Sequence, residues 1–152
     1  YKEIYGVKPK IICTVRDIAE IVVSFMKVFE KNDELFVHNK SLQGEIFGNI
    51  YDSLKETFFD SYLTGCIHIV EYNDICDNTE QTLNYIYRFL EMKPYKHNLE
   101  NITVHEQEGN FPLKGLHDIR GNLTKTKTNL LDYLTPHEIE KYNQDIFWKT
   151  NG

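Results

Sequence analysis

Arg16 and Ser24 are the two residues whose types and spacing point first to chemistry. Arg16 follows the short apolar run Lys10-Ile11-Ile12-Cys13-Thr14-Val15 and stands directly before Asp17, where the pattern turns helical. A guanidinium is a planar fork of donors, and beside the positive end of a helix it suits a phosphate. At about 100° per residue, Ser24 falls on the flank of that helix, on the side of Asp17, where its hydroxyl could join Arg16 around one anion. The same spacing also fits a plainer arrangement, with Arg16 paired to a carboxylate and Ser24 facing solvent. A second candidate lies in Glu71-Tyr72-Asn73-Asp74. Tyr72 could offer a flat face to an aromatic ring and a hydroxyl to a polar edge. Packing is the competing role in a chain with 10 tyrosines. Asp74 is expected to tie down the turn before the next helix.

The elements that must position these groups can be read from periodicity. Lys10 to Val15 has the composition of a buried strand, preceded by Pro9 and halted by Arg16-Asp17. From Asp17, a natural N-cap, Ile18, Ile21, Val22, Phe25 and Phe29 recur at helical steps, with Glu20, Lys27 and Glu30 turned away. Ile46, Ile50, Leu54 and Phe58 form a second helical stripe that should end by Gly65. Cys66 to Glu71 is a further β-branched run, and the helical crossover between the two runs favours parallel pairing. Asp77 and Glu80 suggest a capping-box variant for a helix carrying Leu83, Ile86, Tyr87 and Leu90. Residues 93–134 hold Pro94, Pro112, Gly109, Gly115 and Gly121, the marks of loops, and a stretch of this kind is more often functional than idle. Thr135-Pro136 opens a last helix running towards Trp148. The expected class is α/β, a parallel β-sheet flanked by helices. In open sheets of this class ligands collect at the carboxyl ends of strands, which is where Arg16 and Tyr72 fall.

Composition narrows the function classes. The 152 residues suit one domain. Hydrophobic content of 41% with only 8 Gly and 4 Pro excludes a disordered chain. A net charge of -6 disfavours a nucleic-acid partner, which calls for a basic face, while leaving room for a local anion pocket. Cys13, Cys66 and Cys76 contain no CxxC pair, so neither a disulfide framework nor a zinc site is indicated, and a reducing, cytoplasmic compartment is the simpler expectation. The sequons at Asn39, Asn101 and Asn122 would matter only in a secretory lumen. Apolar runs such as Ile21 to Val23 fall far short of the roughly 18 residues of a membrane span. His68, His105, His117 and His137 lack metal-ligand spacing, and no metal is expected.

Taken in order, these segments resemble sulfotransferases that use 3′-phosphoadenosine 5′-phosphosulfate. Lys10 to Phe25 is similar to that family's 3′-phosphate-binding segment, in which an Arg at a strand end and a Ser eight residues later hold the phosphate, the places of Arg16 and Ser24. Val70 to Asp74, with the helix through Tyr87-Arg88-Phe89-Leu90, resembles the family's second strand, turn and helix, which implies that Tyr72 contacts the adenine. Lys114-Gly115-Leu116-His117-Asp118-Ile119-Arg120 is similar to the basic loop that closes over the nucleotide, and so implies donor-binding roles for Lys114 and Arg120. The implied fold is a partial, P-loop-NTPase-like sulfotransferase domain over residues 1–152. The implied partners are a nucleotide sulfate donor, released as 3′,5′-adenosine bisphosphate, and a small-molecule or carbohydrate acceptor with a hydroxyl or amine.

There are departures. Ile18 stands where the family often has Pro, and Asn73 replaces a usual acidic residue. No Gly-rich phosphate-binding run with an adjacent Lys and Ser/Thr occurs, so the phosphosulfate loop has no counterpart and the catalytic base is unassigned. The chain is therefore expected to be the C-terminal portion of a longer enzyme. A noncatalytic nucleotide-binding or assembly domain of the same shape is the alternative, and a nucleotide kinase, which needs that same loop, is a weaker third.

Overall fold

The computed structural model describes residues 6–29, 47–102, 121–144 and 146–149. Two short strands, β1 (Ile11–Val15) and β2 (Ile67–Glu71), pair in parallel, with Ile11 opposite Ile67 and Val15 opposite Glu71. Between them run α1 (Ile18–Phe29) and α2 (Phe47–Phe59), followed by a 3-10 turn at Ser61–Leu63. Gly65 then carries a φ of 77°, a left-handed conformation that a Cβ would strain, and turns the chain into β2. After β2 come α3 (Tyr72–Asp77), α4 (Thr79–Phe89) and α5 (Pro136–Gln144), with 3-10 turns at Leu130–Asp132 and Phe147–Lys149. The class is α/β, and the two strands pair in parallel as the crossover requires.

The chain divides into two compact units, residues 1–72 with 128–152, and residues 73–127. In the first, Ala19 and Val23 of α1 meet Leu134, with Val22, Met26, Leu130, Tyr133, Ile139 and Tyr142 packed around them. Ala19 permits the close approach of the two segments, and Val23 is fully buried. An aromatic cluster lies under the C-terminal segment: Phe147 is buried and meets Tyr51, Phe58 and Phe59 of α2 at centroid distances of 5.4–5.9 Å. In the second unit Thr82 is the buried anchor, its hydroxyl donating to the carbonyls of Asp74 and Asn78.

Several local expectations are corrected. Ile12 and Thr14 of β1 are exposed, so among the described residues the strand is covered on one face rather than two. Ile50 points outward at 67% exposure, because α2 packs through Phe58 and Tyr51 instead. The Asp77–Glu80 capping box does not form. Tyr72 to Asp77 is itself helical, Asn78 takes the N-cap place of α4 without a side-chain bond, and the Asp77 carboxylate pairs with Lys125. A capping box does form at the last helix, where Thr135 Oγ1 accepts from the Glu138 amide and Glu138 Oε2 accepts from the Thr135 amide. The described part of that helix is Pro136–Gln144, and Trp148 falls in the 3-10 turn Phe147–Lys149. Lys27 is not turned away: its Nζ donates to Thr128 Oγ1 and lies 5.3 Å from the Tyr133 ring centroid.

Candidate functional site

Parallel pairing brings the carboxyl ends of β1 and β2 side by side. Val15 faces Glu71, so the next residues along each strand, Arg16 and Tyr72, emerge together. The Arg16 guanidinium carbon lies 4.4 Å from the Tyr72 ring centroid, within cation–π range. Arg16 Nε donates to Glu20 Oε2 at 2.6 Å, across one turn at the start of α1. Both side chains are about four-fifths buried, at 20% and 19% exposure. The guanidinium is thus held by an aromatic ring within cation–π range and at Nε by a carboxylate. Among the described residues, its terminal nitrogens carry no hydrogen bond.

Asp17 occupies the place expected of it, since its carbonyl accepts from the Ile21 amide at 3.0 Å as an N-cap's does. Its carboxylate has a second use. Lys149 Nζ lies 2.7 Å from Asp17 Oδ1 and 3.6 Å from Glu71 Oε2, so one ammonium spans the ends of both strands. The hydrogen bond that Lys149 donates to Asp17 is the main cause that pushes its pKa above the ordinary value, against desolvation and with help from both carboxylate charges. Arg16 and Lys149 are thereby offset by Glu20, Asp17 and Glu71. An anion here would be held by directed hydrogen bonds, not by a general positive field.

Ser24 is exposed on α1 and makes no hydrogen bond to Arg16. It lies four residues beyond Glu20, on the same helical face, and about 9 Å along the axis from Ile18. The structure therefore joins Arg16 to Tyr72 but leaves Ser24 one turn beyond the Arg16–Glu20 pair. Lys114 and Arg120 lie outside the described residues. Lys125, from the same basic stretch, is tied to Asp77 at 3.1 Å. No three His, Cys, Asp or Glu side chains among the described residues form a metal-holding group. No helix among them is long and apolar enough to cross a membrane.

Two residues of this cluster escaped the sequence. Glu20 counted as outward-facing, although its place four residues after Arg16 was a legible signal for a helical ion pair. Lys149 carried no signal, because only tertiary folding brings position 149 to position 17. No curated protein and no solved structure matches the chain. Residues 2–144, which include both strands, the Arg16–Tyr72 contact and every helix through α5, match the family model described as the sulfotransferase domain, and the chain therefore belongs to the sulfotransferase family, with a partial α/β fold of that class.

Proposed function

We propose that this protein binds 3′-phosphoadenosine 5′-phosphosulfate and moves its sulfuryl group to a hydroxyl or amine of a small-molecule or carbohydrate acceptor. The observation that carries the reading is the Arg16 guanidinium, placed at the carboxyl end of paired parallel strands and beside the start of α1. Its donor fork and partial exposure fit an anionic group, and the family match supplies the kind of chemistry.

In this reading Arg16 takes the 3′-phosphate and the Ser24 hydroxyl, further along the same face, joins it. Tyr72 addresses the adenine, while Lys114 and Arg120 cover the nucleotide. When bound, the donor supplies an activated sulfuryl group. Such a transfer asks the protein for in-line positioning and cationic stabilisation more than for covalent help. The five residues hold the far end of the donor, and none of them is assigned the transfer step.

Calorimetry on the full-length protein with 3′,5′-adenosine bisphosphate and 5′-AMP tests this. A preference for the bisphosphate is expected, and Arg16→Ala should weaken it by roughly 1.5–3 kcal/mol, the scale of a charge-assisted contact. Equal affinity for the two nucleotides, or an unaffected variant, overturns the 3′-phosphate assignment. The strand-end placement of Arg16 also suits a second reading, a noncatalytic nucleotide-binding domain. Binding of the bisphosphate with no label transferred from a radioactive sulfate donor would select it.

A further inference from the structure

We infer that Glu20 is a positioning residue, one that sets the orientation of Arg16 for the 3′-phosphate; the inference rests on the nucleotide reading above. An arginine at a strand end has several rotatable bonds, and an anion that must order them binds more weakly. Here two contacts do the ordering in advance. Glu20 Oε2 accepts from Nε at 2.6 Å, and the guanidinium carbon rests 4.4 Å from the Tyr72 ring centroid. Because Glu20 uses the Nε edge, the outer edge with both terminal nitrogens is left for a bidentate contact. The i to i+4 geometry also draws the guanidinium along the face of α1 that carries Ser24 one turn further on.

A carboxylate so near an anion site also repels the ligand, so removing it has two opposed consequences, and the sign of the change separates them. If orientation dominates, Glu20→Ala weakens 3′,5′-adenosine bisphosphate by roughly tenfold, a coupling of ordinary size for contacting residues. Binding of 5′-AMP, which lacks the 3′-phosphate, stays the same. Glu20→Gln keeps an acceptor oxygen for Nε and should retain most of the affinity. In an Arg16→Ala background, Glu20→Ala should cause no further loss.

The experiment is calorimetry of the full-length wild type, the three single variants and the double variant with both nucleotides, alongside thermal melts. Unchanged or tighter bisphosphate binding by Glu20→Ala, or additive losses in the double variant, overturns the positioning role while Arg16 keeps its own. Parallel losses for both nucleotides overturn it too, since a general structural defect would act on both. If Arg16→Ala binds the bisphosphate as the wild type does, the nucleotide reading fails first and the role of Glu20 falls with it.

Discussion

Lys149 Nζ donates to Asp17 Oδ1 at 2.7 Å, linking residues 132 positions apart. The same ammonium reaches Glu71. A 3-10 turn near the end of the described chain is thereby fastened across the carboxyl ends of both strands, beside Arg16.

Replacing Lys149 by Met should remove this fastening at a modest cost in stability, about 1 kcal/mol or less, because the side chain is 43% exposed and solvent screens the pair. The pKa of Lys149 is raised in the fold. Its contribution is therefore fully present below the ordinary lysine value and fades as pH rises through the higher folded value. Urea titrations of wild type and variant should differ at neutral pH and converge only as pH is raised beyond the ordinary lysine range. A gap that stays constant over that range contradicts the ion-pair account.

Phe147 is the stronger anchor of the same segment. It is 6% exposed and touches three aromatic rings of α2. Phe147→Ala should cost about 3–5 kcal/mol, the scale for emptying a buried aromatic site. Near-UV circular dichroism should weaken with it. A loss below about 1 kcal/mol would mean that the cluster is not packed as described.

At the head of α5, the Thr135 amide and hydroxyl both donate to Glu138, and the backbone bond is the first cause of its lowered pKa. A depressed carboxylate contributes above its unfolded value and stops contributing as pH falls through the folded one. Acidification should therefore fray the first turn of α5, seen as faster amide exchange there. Glu138→Gln should make that fraying insensitive to acid, and Thr135→Ala should cost about 1 kcal/mol at neutral pH.

Tyr72 tests the seat of Arg16 from the other side. Phe keeps the ring under the guanidinium and Leu removes it. Bisphosphate binding should survive Tyr72→Phe and weaken by about 0.5–2 kcal/mol in Tyr72→Leu. Equal losses in both variants would shift the role to the hydroxyl.

Much of the frame was legible. The apolar runs that end at Val15 and Glu71 are short, β-branched and separated by helical sequence, and such runs have few ways to pair. The core face of α1 was less well read. Of the periodic residues Ile18 is buried and Val22 packs against the core, but Ala19 and Val23, the centre of that core, lay outside the stripe. A small residue gains its importance only from the segment that comes to lie on it, here Leu134. The Asp77–Glu80 cap failed for a related reason: Tyr72 to Asp77 took up a helix of its own, and Lys125 claimed the carboxylate.

The order of the strands and the longer helices, the parallel pairing and the place of Arg16 at a strand end were decided by the sequence itself, because hydrophobic period and chain connectivity are local properties. What surrounds Arg16 was decided only by tertiary structure. The Tyr72 ring arrives through the register of two strands, and Lys149 arrives from the far end of the described chain. Even Glu20, close in sequence, becomes a partner only once the helix has formed and largely buried the pair, for a hydrogen bond of that kind depends on direction and desolvation, neither of which a residue's identity specifies.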